Sequence, residues 1–327
     1  MSKEAPQRNL ALDLVRVTES AALAASRWLG RGNKEAGDGA AVDAMRLSFN
    51  YVDIDGKVVI GEGEKDEAPM LYNGEDVGTK NGPKMDVAVD PVEGTRLLAL
   101  GRPNAIAVIS MTPRGAMYNP GPAFYMNKLV VGTEAKGVID INAPVEDNLK
   151  NTARALGKDV DDLVVFVLEK ERHQKLIAEI RKAGARVQLH TDGDVWCLRR
   201  LPESNVDIMM GPGGPPEGIL AATAIKIVGG EIYAKFNPQS NDERKAILEA
   251  GYNLDTVLSI NELVTSDDIF FAATGISGGS FLRGVRLTGK GAITHSLVMR
   301  GKTGTIRYIE SHHAFDKLMK ISSIKYD

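Results

Sequence analysis

The run Asp90-Pro91-Val92-Glu93-Gly94-Thr95 places two carboxylates three residues apart and a hydroxyl two residues further on. Carboxylate oxygens converging at about 2.1 Å are donors that hard divalent cations take. The preceding Met85-Asp86-Val87-Ala88-Val89 alternates as a strand, with Asp86, Ala88 and Asp90 on one face. At about 3.4 Å per residue Asp86 and Asp90 lie about 13 Å apart, too far to share one ion readily. Asp86 is therefore expected to support the site or to pair with a basic residue. Proline has no N–H to donate, so Pro91 is expected to end the strand pairing and let Asp90 and Glu93 converge in a turn. Thr95 precedes the apolar stretch 97–100, which puts its hydroxyl near a helix N-terminus, a place that suits phosphate. An acidic turn with no metal is the plainer reading of the same residues.

Two further segments add to the first. Glu62 follows the strand-like Lys57-Val58-Val59-Ile60, with Gly61 and Gly63 clearing space on either side. Met210-Gly211-Pro212-Gly213-Gly214-Pro215-Pro216-Glu217-Gly218 reads as a strand, a glycine-rich turn and then a helix, with Glu217 in the first helical turn. Two other motifs fail on spacing. Pro216 stands where a dinucleotide-binding loop needs its last glycine, and Ser296 stands where a P-loop ending in Gly301-Lys302-Thr303 needs its first. His312-His313 has no metal-ligand spacing and is expected to be structural or at the surface.

These residues sit in a chain of 327, 43% hydrophobic and 25% charged, long enough for two lobes or one large α/β domain. The net charge of −3 and the lack of a long basic run give no expectation of a nucleic-acid partner. The single cysteine, Cys197, excludes an intramolecular disulfide and is expected to be a small buried hydrophobe. No run of about 18 apolar residues occurs, so no membrane span is expected, and the protein is expected to be cytoplasmic.

Periodicity predicts a helix over 10–29 and, after a tight link at 31–34, a second whose buried face is marked by Val42, Met45 and Phe49, with Asp38 near its start. Strands are predicted at 57–60, 85–90, 105–111 and 124–131. From about 143, strands alternate with helices: helices at 146–156, 172–183, from 194, and 216–228, and strands at 163–168, 186–190 and 206–210. That alternation predicts a crossover α/β lobe with a mostly parallel sheet. Strand-like runs return at 269–273, 292–299 and 305–309. The division expected is a carboxylate-bearing α/β lobe at 1–140 and a substrate lobe at 141–327 that includes the returning strands.

Several longer segments carry a family resemblance. They are Arg16-Val17-Thr18-Glu19-Ser20-Ala21, Gly30-Arg31-Gly32, Asp38-Gly39-Ala40-Ala41-Val42-Asp43 and Gly61-Glu62-Gly63-Glu64, with Asp66-Glu67-Ala68-Pro69-Met70 close behind. Together with 90–96, 213–218, 272–276 and 295–300, they closely resemble class II fructose-1,6-bisphosphatases over nearly the whole chain. The resemblance implies a layered α/β/α/β/α sugar-phosphatase sandwich with mixed sheets, of the lithium-sensitive superfamily. Its Asp-Pro-x-(Asp/Glu)-Gly-Thr signature is spelled by 90–95.

It further implies Asp38, Glu62, Asp90, Glu93 and Glu217 as ligands of Mg²⁺ or Mn²⁺, with Thr95 taking part in water activation. The residues matching substrate positions are Glu93, Gly94, Thr95, Tyr125, Lys170, Glu171, Arg172, Asp192, Asp194 and Gly214. The implied reaction is hydrolysis of the 1-phosphate of fructose 1,6-bisphosphate in gluconeogenesis, by a homodimer or homotetramer. Asn33 departs from the family, which usually has aspartate there, and 235–265 matches poorly.

Like charges about 4 Å apart cost on the order of 4 kcal/mol at an effective dielectric near 20, so divalent cations would both relieve five clustered carboxylates and attract a bisphosphate. The expected chemistry is in-line attack of water on phosphorus, with Thr95 and either Glu62 or Glu64 orienting or deprotonating it. Lys170 and Arg172 are suited to the distal 6-phosphate, Arg bidentately. Alternatives are a sedoheptulose 1,7-bisphosphatase, alone or as a second activity, an inositol-phosphate phosphatase, or a non-catalytic sugar-phosphate sensor.

Overall fold

The first helix, α1 (Leu10–Ser26), starts where the Asn9 side chain accepts the Ala11 N–H. The computed structural model describes residues 9–61, 71–193, 205–279 and 281–321. A tight link leads to α2 (Lys34–Phe49), whose Asn33 cap accepts the Ala36 N–H at 3.0 Å. Asparagine caps a helix as well as aspartate does, which gives the departure at this position a local role. Strands β1 (Asp55–Ile60), β2 (Asp76–Val77) and β3 (Lys84–Glu93) follow, then the short α3 (Thr95–Ala99) and β4 (Ile106–Pro113).

The chain divides into two compact units: 1–58, 62–113 and 268–327 form one, and 59–61 with 114–267 form the other. These breaks fall at 113/114 and 267/268, where the sequence reading divides the chain at 140/141. β5 (Met126–Val131) accounts for the first difference, because its pairing partners both lie later, in the second unit. The returning strands account for the second.

That unit continues through α4 (Val145–Leu156), β6 (Val164–Leu168), α5 (Gln174–Lys182), β7 (Arg186–His190), β8 (Ile208–Gly213) and α6 (Pro215–Ile227). It ends with β9 (Glu231–Phe236), α7 (Asn241–Glu249), β10 (Val257–Ser259) and α8 (Ile260–Leu263). The six strands run in the order β10-β9-β5-β8-β6-β7. Only β8–β6 and β6–β7 are parallel; the other three pairings are antiparallel. The expectation of a mostly parallel sheet is thus corrected. It came from the βα alternation after 143 and did not foresee β5 entering between β9 and β8. Leu129, Leu149, Val165, Val167, Ile177, Ile180 and Met210 form its core. The helix expected from 194 lies outside the described residues.

The chain then returns as β11 (Phe270–Gly275), β12 (Arg286–Thr288), β13 (Gly291–Arg300) and β14 (Thr305–Ala314), ending in α9 (Phe315–Ile321). In this sheet the order is β12-β13-β11-β4-β3-β1-β2, with β14 also on β13. The two sheets with their helices belong to the α/β class expected. Leu14, Val17 and Ala21 of α1 share a core with Met45, Phe49, Val87, Val89, Ile109, Phe270 and Val298. Each fully buried large side chain contributes about 1.5–3 kcal/mol. Hydroxyls inside this packing need partners. Thr18 of α1 meets Thr274 of β11 at 2.7 Å, and Thr274 meets Ser296 of β13 at 2.8 Å. His313 lies 2.8 Å from the Thr294 hydroxyl and His312 is exposed beside Glu310, matching the structural and surface roles expected for the pair.

Candidate active site

In the first unit, β3 carries the acidic run. Its register with β4 is Asp90 opposite Val108 and then Glu93 opposite Ile106, so three steps on β3 match two on β4. Pro91 therefore does not end the pairing, as the sequence suggested. It sits in a one-residue bulge, where a residue without an N–H is tolerated and the strand can bend. Asp90 stabilises the bend, its Oδ1 accepting the Val92 N–H at 3.0 Å. Pairing resumes at Glu93, which is only 4% exposed.

Gly94 then turns the chain with φ +88°, a left-handed conformation that a β-carbon would disfavour. Thr95 is the first residue of α3, and the Gly94 carbonyl accepts the N–H groups of Leu97 and Leu98. Bulge, turn and helix start thus bring Asp90, Glu93, Gly94 and Thr95 into one short stretch. Asp38 lies in the second turn of α2, half-buried. Burial pushes its carboxyl above the usual carboxylate range, against the lowering charge of Lys34 and with some help from Glu35. Glu62 and Glu64 lie outside the described residues.

In the second unit, four of the expected substrate residues come as two pairs. Lys170 lies between β6 and α5, and its ammonium meets Asp192 Oδ1 at 2.6 Å. Lys170 is therefore partly neutralised before any phosphate arrives, and Asp192 holds its position. The guanidinium of Arg172 lies 4.8 Å from the centre of the Tyr125 ring, a cation–π distance. Arg172 and Glu171 are both exposed, so the guanidinium edge remains available to an anion. Asp194 lies outside the described residues. Gly214 caps α6, and Glu217 occupies its first turn. Among the described residues, the one group of three acidic or histidine side chains with ligand atoms within 4.8 Å of one another is Asp159, Asp161 and Asp162. All three are exposed on a turn before β6 and none is a residue assigned from the sequence.

A family model described as bacterial fructose-1,6-bisphosphatase, glpX-encoded, matches residues 8–313. The chain is 46% identical to fructose-1,6-bisphosphatase 1 class 2 of Escherichia coli K12, over 95% of this chain and 97% of that protein. The class 2 enzyme of Shigella flexneri matches to the same extent, 46% identical over 95% of this chain and 97% of its own length. This chain belongs to the bacterial, glpX-encoded fructose-1,6-bisphosphatase family.

Members of this fructose-1,6-bisphosphatase family depend on a metal. At the bulged end of β3, Asp90 and Glu93 offer carboxylate oxygen and no sulfur, donors of the kind that hard divalent cations take. No described helix is long and apolar enough to cross a membrane.

One residue of this bisphosphatase-family chain that the sequence reading missed is Glu243, in the poorly matched stretch. It is buried, and its Oε1 accepts the backbone N–H groups of Phe124 and Tyr125 at 2.7 and 3.0 Å. Its Oε2 accepts the Gln239 N–H at 2.8 Å. The signal was present in Ser240-Asn241-Asp242-Glu243, a capping pattern, and Ser240 does accept the Glu243 N–H at 3.1 Å. Glu243→Ala is expected to lower stability by about 2 kcal/mol, since three N–H groups lose a charged acceptor. It is also expected to raise KM for substrate through a displaced Tyr125. Urea unfolding and steady-state kinetics check both, and an unchanged KM in a destabilised protein would limit Glu243 to folding.

Proposed function

We propose that this chain hydrolyses the 1-phosphate of fructose 1,6-bisphosphate to fructose 6-phosphate and inorganic phosphate, serving gluconeogenesis in the cytoplasm. The observation that carries the reading is the bulged end of β3, with Asp90 and Glu93 on the strand and Thr95 starting the helix directly after it, in a chain that matches the family over residues 8–313. The roles proposed are metal ligation by Asp38, Glu62, Asp90, Glu93 and Glu217, of Mg²⁺ or Mn²⁺. The bound cations supply Lewis-acid polarisation of the phosphate and charge for the departing sugar oxygen.

The chain's own residues do the rest. Thr95 at the start of α3 and either Glu62 or Glu64 orient the attacking water or, in the case of the carboxylate, take its proton. Arg172, backed by Tyr125, binds the distal phosphate through its exposed guanidinium. Lys170 adds charge on the same side, steadied by Asp192. Glu171, Asp194 and Gly214 complete the substrate contacts proposed. The working assembly is a homodimer or homotetramer, and a monomeric mass by light scattering would remove that part.

Phosphate release is the test, across fructose 1,6-bisphosphate, sedoheptulose 1,7-bisphosphate, inositol phosphates and fructose monophosphates, each with Mg²⁺ and with Mn²⁺. The highest kcat/KM is expected for fructose 1,6-bisphosphate, with activity lost on chelation and restored by metal. Preference for a monophosphate would overturn the assignment. Tight binding of the bisphosphate with no phosphate released would mark a sensor instead.

A further inference from the structure

The junction where β8 runs into α6 has an unusual composition: Pro212, Pro215 and Pro216 lack backbone N–H groups, and Gly213 and Gly214 lack side chains. Three prolines remove donors here. Beyond the β5 pairing at Pro212 and Gly213 and the Gly218 N–H on the Gly214 carbonyl at 3.2 Å, the backbone that carries Glu217 has few hydrogen bonds of its own to hold it. Its carbonyls are held from outside by two buried side chains. Lys128 of β5, only 2% exposed, stands opposite Gly211 in the β5–β8 register and donates from Nζ to the Gly214 carbonyl at 3.0 Å. A buried ammonium is costly unless hydrogen-bonded, so the contact holds the lysine and the loop to each other. His173, 1% exposed, ends the short turn before α5. Its Nδ1 lies 2.6 Å from the Leu168 carbonyl and its Nε2 lies 2.8 Å from the Pro212 carbonyl. The imidazole thus lies wedged between the end of β6, next to Lys170 and Arg172, and the Pro212 carbonyl, with whichever ring nitrogen carries the proton donating to its carbonyl.

What these contacts control is visible at Gly214. A β-carbon there would stand 1.9 Å from Oε2 of Glu217, so the carboxylate occupies the space that glycine leaves open. The position of Gly214 therefore limits where the Glu217 carboxylate can lie. We infer that Lys128 and His173 are positioning residues that preset the Glu217 carboxylate for metal through the carbonyls of Gly214 and Pro212. The inference rests on the proposed role of Glu217 as a metal ligand. Neither side chain has any part in the reaction itself, and each acts through the loop backbone.

The experiment compares Lys128→Met, Lys128→Gln and His173→Gln with the parent and with Glu217→Gln. Mn²⁺ binding to the metal-free protein is read from the electron paramagnetic resonance signal of free Mn²⁺, beside thermal unfolding and steady-state kinetics. Groups that orient metal ligands typically change metal affinity 10–100-fold when removed. An increase of about tenfold in the Mn²⁺ dissociation constant is expected for Lys128→Met and for His173→Gln, with kcat largely recovered at saturating Mn²⁺. A purely structural role would lower the folded fraction without moving the metal constant. Glutamine is polar enough for these buried sites but too short or wrongly shaped to reach the same carbonyl, so Lys128→Gln is expected to show the same loss and, with His173→Gln, carries the test if Lys128→Met does not fold. Folded variants that bind Mn²⁺ within about twofold of the parent, while Glu217→Gln binds it weakly, would overturn the positioning role alone. Unchanged binding by Glu217→Gln would overturn the ligand role beneath it as well.

Discussion

Glu217→Gln is expected to leave a folded protein that turns over at least about a thousandfold more slowly, the rate cost of about 4 kcal/mol of lost cation stabilisation in the transition state. Glutamine has nearly the volume of glutamate and fills the same space against Gly214, so the loop has no reason to rearrange. The charge lost from the first turn of α6 lowers stability by no more than about 1 kcal/mol. Asp90→Asn is the companion variant and is expected to behave alike. Its side-chain carbonyl can still accept the Val92 N–H, so the bulge is retained while the anionic donor is gone. Phosphate release with saturating Mn²⁺, together with circular-dichroism melts, reads both effects. Near-parent turnover in either variant would remove that residue from the ligand set.

The largest loss of stability is expected at Arg300→Ala, about 3–5 kcal/mol, because a buried ion pair would lose one partner. Arg300 is 6% exposed, its Nη2 meets Asp268 Oδ1 at 2.5 Å, and its Nη1 donates to the Ile269 carbonyl at 3.1 Å. The guanidinium also lies 3.8 Å from the centre of the Phe270 ring. Alanine would abolish all three contacts, while Lys302, 2.8 Å from the other oxygen of Asp268, would stay in place. Burial pushes the Asp268 carboxyl up, but hydrogen bonds and charge from Lys302 and Arg300 prevail and hold it below the usual carboxylate value. A carboxyl lowered on folding adds stability that is complete above its ordinary range and is lost as the pH falls below it. The parent should therefore lose stability below about pH 4 more steeply than Arg300→Ala does. Urea unfolding at pH 7 and at pH 3 measures both quantities; equal slopes in the two proteins would contradict the ion-pair account.

Helices α1, α4 and α6 were readable to within a few residues. Of these, α4 buries an apolar stripe at helical spacing, whereas α6, buried on every side from 218 to 225, was marked by a proline-rich start and an unbroken apolar run. The acidic run was readable as chemistry for a different reason: carboxylates at the end of an apolar strand need a function or a partner. Its backbone was less readable. Pro91 argued for a strand end, but the bulge that absorbs it depends on register with β4, and register is set between strands rather than within one. The second sheet was misjudged for a similar cause. Alternating strands and helices describe neighbours along the chain, whereas β5 pairs with segments about 80 and 105 residues further on. Lys170 was assigned to the distal phosphate and Asp192 only to substrate contact, and their mutual ion pair could not be read from spacing. Lys128 and Glu243 were missed because each acts on backbone groups remote in sequence.

The detour between β4 and β11 has a consequence for biosynthesis. Every strand of the six-stranded sheet lies within 126–259, so that sheet is fully synthesised before β11 exists. The centre of the other sheet joins Ser110 to Phe271, a pairing that the ribosome completes only near the end of translation. Until then β4 has one exposed edge, a row of unpaired amides of the kind that invites wrong partners. A chain stopped anywhere between 260 and 269 would carry a complete inserted sheet and a permanently open outer one, a species for chaperones and proteases to recognise.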